Sequence, residues 1–264
     1  MNSFTSSWLA MREPLDLAAR DRSLLRKTIE LLPPGKKANI VDLGCGTGAT
    51  FRAVASAQAA THNWRLIDND PALLAIAERL CKPFAETVQM DLAEIAPELF
   101  DGVDLVTATA LLDLCSEAWI RGLAGQVAAS GALFYAALTY DGEMAWTPEH
   151  ALDADVVAAF NSHQKSDKGL GTALGPDAAK VAEAVFNELG YETFTAPSPW
   201  KIESVSDPVH TEFVSGIKSA LAAEGGMDAA ALQSWADAHT PLPEGGSCTV
   251  GHTDLLAVPK SAVS

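Results

Sequence analysis

Short apolar runs alternate along the chain with longer stretches whose apolar residues recur at helical spacing. Leu9, Leu15, Leu17, Leu24, Leu25, Ile29 and Leu31 give a loose helical pattern over residues 8–32, which Pro33-Pro34-Gly35 stops. The runs at 39–43, 64–68, 86–91, 103–108 and 132–140 then read as strands. Between them, 50–58, 72–81 and 116–129 read as helices, with Pro71 suited to a first helical turn. Strands apolar along their whole length predict a parallel sheet covered on both faces. The expected fold class is therefore α/β: a doubly wound, mostly parallel, seven-stranded sheet with helical additions.

The second half is less regular. Residues 141–175 read as a polar insertion holding one helix at 153–163, followed by a helix at 176–189 and a strand at 191–196. Helices at 209–223 and 229–238 precede the turn Glu244-Gly245-Gly246 and a last strand at 254–258. No internal repeat or low-complexity linker interrupts the pattern, which predicts one domain over 1–264. Its parts are a helical N-terminal lid (1–35), a ligand-binding core (36–140), the insertion (141–175) and a C-terminal half (176–264) with a helical insertion near 203–246.

Charge narrows the possible partners. The 18 Lys+Arg against 34 Asp+Glu give a formal charge of −16, and no basic stripe is present. Nucleic acid and anionic membrane surfaces are thus poor partners. The cysteines Cys45, Cys81, Cys115 and Cys248 lie far apart without a Cys-x-x-Cys pair. Reduced thiols in a cytoplasmic protein are expected, with no metal site and no disulfide framework. The first residues lack the basic and apolar regions of a secretory signal, and no apolar run reaches membrane-spanning length. Oligomeric state leaves no trace in the pattern.

The sharpest chemistry lies in Val41-Asp42-Leu43-Gly44-Cys45-Gly46-Thr47-Gly48-Ala49-Thr50, between an apolar strand and a helix. Glycines allow a tight turn and close approach of a ligand, at the sheet edge where such folds bind one. Two cofactors compete for it. Gly44, Gly46 and Ala49 satisfy the dinucleotide spacing Gly-x-Gly-x-x-Gly/Ala, which keeps an NAD-dependent oxidoreductase open. Asp42, Gly44, Gly46 and Gly48 satisfy the form used for adenosylmethionine, in which an acid stands two residues before Gly-x-Gly-x-Gly. A carboxylate is repelled by a pyrophosphate and attracted by an ammonium and a sulfonium.

From this loop through about Tyr140 the sequence resembles the class I (Rossmann-like) S-adenosylmethionine-dependent methyltransferases. The resemblance implies that Asp42, Gly44, Cys45, Gly46 and Gly48 hold the cofactor. It implies further that Asp68 and Asn69, after the second strand, meet the ribose, and that Asp91 and Leu92, after the third, meet the adenine. Ala108 and Thr109 would lie beneath the methionine portion. Adenosylmethionine would be the cofactor, adenosylhomocysteine the product and a small molecule the acceptor. Asp70 reads as a helix cap. An adenosylmethionine-binding protein that does not methylate is a further alternative.

Methyl transfer needs alignment and desolvation more than covalent chemistry, so no catalytic motif is obligatory. The candidates for the acceptor side come from the polar insertion. His163 and Tyr140 are candidate catalytic groups, and His150, Asn161 and Gln164 candidate substrate contacts, with a solvated loop and a helix end as the alternative. Asp113 either faces the acceptor or starts a helix. In the N-terminal segment Arg12 is a candidate clamp on the methionine carboxylate, and Trp8 either a lid or a core anchor.

Overall fold

The computed structural model describes residues 4–57, 62–203 and 207–260. Two helices open it, α1 (Ser6–Ala19) and α2 (Arg22–Glu30). Asp21 separates them: its carboxylate accepts from the Leu24 amide at 2.7 Å and so begins a new helix where the apolar pattern alone suggests one. Then follow β1 (Asn39–Leu43), α3 (Ala49–Ala57), β2 (Asn63–Asp68), α4 (Pro71–Cys81), β3 (Ala85–Gln89), β4 (Leu105–Thr109), α5 (Glu117–Ser130) and β5 (Leu133–Thr147). The expected end of the third helix, Gln58, lies outside the described residues, as do 204–206 of the expected helical insertion. Asp70 caps α4 as expected, accepting from the Ala72 and Leu73 amides.

The remaining elements are α6 (Asp153–Gln164), α7 (Ala178–Glu188), β6 (Tyr191–Pro197), β7 (Trp200–Ile202), α8 (Pro208–Glu224), α9 (Ala229–His239) and β8 (Ser247–Pro259). The strand order is β3-β2-β1-β4-β5-β8-β6, with β7 also on β8. Strands β1 to β5 pair in parallel, whereas β8 runs antiparallel to β5, β6 and β7. The sheet thus has eight strands. The additional one continues β6 in register along β8, from Pro197 opposite Thr253 to Trp200 opposite Val250. Pro199, which has no amide hydrogen, divides the two.

Alternation along the strands builds a core on each face. Val41, Leu43 and Phe134 point toward Ile120 and Val127 of α5 and Phe186 of α7. Ile40, Leu66 and Tyr135 point toward Leu25 of α2, Phe51 of α3 and Leu74 of α4. Each large apolar side chain so buried contributes about 1.5–3 kcal/mol.

The fifth strand departs from expectation. Rather than ending at Tyr140, it runs to Thr147, and Asp141-Gly142 is a bulge within it. The register against β8 shifts twice, between Ala136 and Thr139 and between Tyr140 and Met144. Leu138 (φ 55°) lies in the first shift and Gly142 (φ 95°) in the second. A Cβ at Gly142 would stand 2.9 Å from Pro176, so glycine is required there on two counts. Bulges re-aim side chains. Here they carry β5 and β8 beyond the sheet as a ribbon, on which α8 and α9 pack through Trp146, Ile217 and Trp235.

Candidate active site

The loop after β1 turns through Gly44, Gly46 and Gly48, all left-handed at φ 64°, 54° and 85°. A Cβ on Gly48 would come within 2.6 Å of the Cys81 sulfur, and one on Gly46 within 3.1 Å of Leu9. Asp68, from the end of β2, fixes the loop by accepting from the Gly46 amide at 2.8 Å, and it also accepts from the Asp70 amide at 3.0 Å. Behind the loop Asp42 is wholly buried, accepting from the Thr107 hydroxyl at 2.7 Å. Its Oδ2 has no hydrogen-bond partner, and burial pushes its pKa up to about 7, against the pull of Thr107 and Arg20.

A slot of about 110 Å³ opens onto this loop, lined by Gly44, Cys45, Gly46, Thr47, Asp68 and Asn69, with Thr50 and Thr109 and with Arg12 and Asp16 of α1. A second cavity of about 500 Å³ adjoins it, and Phe4, Arg12, Ala110 and Leu114 line both. The larger cavity is mostly apolar and aromatic, walled by Trp8 of α1, Tyr140 and Met144 of β5, Phe160 of α6, Trp200 of β7 and Phe213 of α8. Its polar groups include Arg12, Asp113, Gln164, Lys168, Glu212 and His252. Ala110, between the two spaces, is held at φ 49°, and Leu138, on the wall of the larger one, is also left-handed. Strain of this kind persists where surrounding structure enforces it. Asp254 supplies part of that enforcement, accepting from the Leu138 amide at 2.9 Å and the Tyr135 hydroxyl at 3.1 Å.

The structure sorts the residues singled out in the sequence. Gly44, Cys45, Gly46, Asp68, Asn69 and Arg12 come together at the slot, and Asp113, Tyr140, Gln164 and Trp8 at the larger cavity. Asp42, Gly48 and Ala108 form the support beneath rather than the lining. Asp91 is exposed and caps a short turn through the Ala93 amide, while Leu92 packs inward toward Gly44. Neither lines the slot.

His163 is not a cavity residue. It sits at the end of α6, its Nδ1 2.8 Å from Glu224 of α8 and its Nε2 3.1 Å from the Lys168 ammonium. His150 is drawn away too: its Nδ1 accepts from the Leu152 amide and its ring packs near His239. Asn161 stands behind the wall, accepting from the Tyr140 hydroxyl at 2.7 Å. Tyr140 in turn spends its proton on Asn161, and burial beside Asp141 and Asp113 holds that proton tightly. Arg12 donates through Nε to Asp16 at 2.8 Å and lies over the Trp200 ring.

Sequence reasoning missed Trp200, Phe213 and His252. Trp200 carried a signal, a tryptophan directly after the strand-breaking Pro197-Ser198-Pro199, but nothing local links it to α1. Burial and the nearby Arg12 charge pull His252 down to about 3, so its ring is neutral. Asp113 is buried, with Oδ1 lacking a partner, and burial raises its pKa to about 6 while Arg12 and Lys168 lower it.

These residues fit adenosylmethionine. The slot is acidic through Asp16 and Asp68, Asp42 lies behind it with an unpaired oxygen, and the glycine loop excludes side chains from its wall. A dinucleotide pyrophosphate would meet those carboxylates unfavourably.

Residues 40–130 match the family described as "Methyltransferase domain". No curated protein matches the chain by sequence. Among solved structures, the YcgJ protein of Bacillus subtilis superimposes with a TM-score of 0.54 at 13% identity, over 90% of this chain and 99% of that one. A candidate methyltransferase of Bacillus halodurans C-125 gives 0.50 at 16% identity, over 89% and 97%. At such identities these likenesses concern the fold, and the eight-stranded sheet agrees with it. Residues 40–130 are thus similar to a methyltransferase domain, and the fold around them is the one that these two solved structures share.

Proposed function

We propose that the enzyme methylates a small molecule seated in the larger cavity, with the cofactor in the slot. One observation carries the reading: the two cavities adjoin along Phe4, Arg12, Ala110 and Leu114, so an acceptor on one side faces a cofactor on the other. Bound adenosylmethionine supplies an electrophilic methyl carbon on a sulfonium. The chain's own part is to orient the acceptor, exclude water and handle the acceptor's proton.

In this arrangement Asp68 and Asn69 hold the ribose, the Gly44–Gly48 loop presents its backbone to the methionine portion, and Arg12 together with Asp16 borders its charged end. Asp113, Tyr140 and Gln164 contact the acceptor. The cavity's enclosure between α1, the β5 ribbon and α8 suits a small molecule better than a polymer, and the charge of −16 disfavours nucleic acid. Among the described residues no helix is long and apolar enough to cross a membrane. The four cysteines are buried and unpaired, which supports a reducing, cytoplasmic setting.

The test incubates the protein with methyl-labelled adenosylmethionine and fractions of a cell extract. Label entering a low-molecular-weight product supports the reading. Label entering only protein or nucleic acid sinks it.

A further inference from the structure

Asp113 is the least explained group at the site. It is 7% exposed, lines the larger cavity, and its Oδ1 has no hydrogen-bond partner. A buried carboxylate oxygen left unpaired is costly unless a ligand completes it. The surrounding walls indicate the ligand's body, because Trp8, Tyr140, Phe160, Trp200 and Phe213 present aromatic surface on several sides of one space. A flat aromatic molecule fills such a space with offset and edge-to-face contacts.

The charges decide what the ligand offers to Asp113. Arg12 and Lys168 already act on this carboxylate, and both line the same cavity. An ammonium group would add a further positive charge beside those two and the cofactor's sulfonium, and a protonated nitrogen has no lone pair for methyl transfer. A hydroxyl donates to Oδ1 without adding charge. An aromatic hydroxyl is acidic at about 10, whereas an aliphatic one resembles water at roughly 16. Only the former lies within reach of a carboxylate base.

Resting on the reading that the cavity holds the acceptor, we propose that the acceptor is an aromatic ring bearing an ionisable hydroxyl, methylated at oxygen, with Asp113 Oδ1 receiving the hydroxyl proton. As the O–H bond breaks toward Oδ1, the oxygen lone pair forms the O–C bond and the C–S bond breaks with its electrons returning to sulfur. The products are a methyl ether, neutral adenosylhomocysteine and a protonated Asp113, which returns its proton to solvent. Lys168 and Arg12 are positioned to stabilise the negative charge developing on oxygen.

The test is calorimetry on the protein saturated with adenosylhomocysteine, titrated with naphthol, its methyl ether and naphthylmethylammonium. Naphthol is expected to bind about tenfold or more tighter than either analogue, as a hydrogen bond to a charged acceptor implies. In Asp113→Asn, the preference over the ether should fall to about threefold or less. Equal binding of naphthol and ether, preference for the ammonium, or no binding by any of the three overturns the proposal, and these comparisons need only the unmutated protein. Adenosylhomocysteine binding in the same samples separates the two failures. If it binds and naphthol is not preferred, the acceptor class is wrong; if it does not bind, the assignment of the cavities fails as well.

Discussion

Trp200 donates its indole N–H to Asp16 Oδ1 at 2.9 Å, joining β7 to the first helix across 184 residues. Asp16 also accepts from Arg12 Nε, which lies over the same indole ring. The three residues form one buried unit, with Arg12 facing both cavities. Helix α1 is thereby fastened to the ribbon rather than left as a detached cover.

Asp16→Ala should therefore affect stability and ligand binding together. It leaves the Arg12 charge and the indole N–H buried without a partner, and breaking one side of such a pair costs about 3–5 kcal/mol. Denaturant unfolding should show a loss near the lower end of that range, because Arg12 keeps slight access to solvent. Adenosylhomocysteine affinity should fall in the same variant. Unchanged affinity in the folded protein would mean that α1 does not help to form the slot.

Asp68→Ala tests the ribose assignment, with an effect on the fold that strand position alone does not suggest. Loss of a charged acceptor should weaken adenosylhomocysteine binding about ten- to a hundredfold. The same carboxylate fixes the Gly46 and Asp70 amides, so the unliganded protein should also lose roughly 1–3 kcal/mol. Asp68→Asn keeps an acceptor oxygen, and its stability loss should be the smaller of the two. If both variants bind with undiminished affinity, Asp68 serves only to hold the loop.

The glycines separate strain from mere presence. At Gly48 a methyl group would meet the Cys81 sulfur at 2.6 Å on a backbone with φ 85°, so Gly48→Ala should cost about 2 kcal/mol or more. Gly122 sits in α5 with nothing within 4 Å of an added Cβ, and Gly122→Ala should stabilise by about 1 kcal/mol. Melting temperatures of the two variants should move in opposite directions. A neutral Gly48→Ala would show that the loop can relax around the added methyl group.

What the sequence disclosed follows the range of the interactions. The Gly44–Gly48 loop, the Asp70 cap and the strand ending at Asp68 are set by residues adjacent in the chain, and their chemistry is readable there. Asp113 was ambiguous because a carboxylate after a strand serves a cap or a ligand equally well. Only the packing around it leaves Oδ1 unpaired. His163 lies in a polar neighbourhood of the sequence, but that polarity serves a tie between α6 and α8 through Glu224. Conversely Trp200 and Phe213 reach the cavity because β7 continues β6 past Pro199 and α8 folds over the ribbon. Such contacts depend on pairing between distant segments, and hydrophobic periodicity does not record it.

Asp42 is ordinarily a carboxyl of pKa 3.8, and burial raises it to about 7 in the folded chain. Between those values the native state binds a proton that the unfolded state does not. The stability due to this proton is fully present below about pH 4 and is lost as pH rises through 7. Arg20, Thr107 and Asp68 act on the group in the folded state, with Asp68 raising its pKa further. Asp113 behaves in the same sense, with its loss centred on about 6. His210 and His252 oppose both, since burial lowers them to about 4 and about 3, and their contribution is lost as pH falls below 6.5. A stability profile of the unmutated protein therefore mixes two signs, and the difference from Asp42→Asn isolates one. Asparagine keeps an oxygen for the Thr107 hydroxyl but carries no ionisable proton. Relative to the variant, the unmutated protein should gain on the order of 2–4 kcal/mol between pH 8 and pH 5. Urea unfolding of both proteins at the two pH values measures it. A difference independent of pH would show that Asp42 stays ionised in the folded chain, with Arg20 or water supplying the partner that its Oδ2 lacks in this structure.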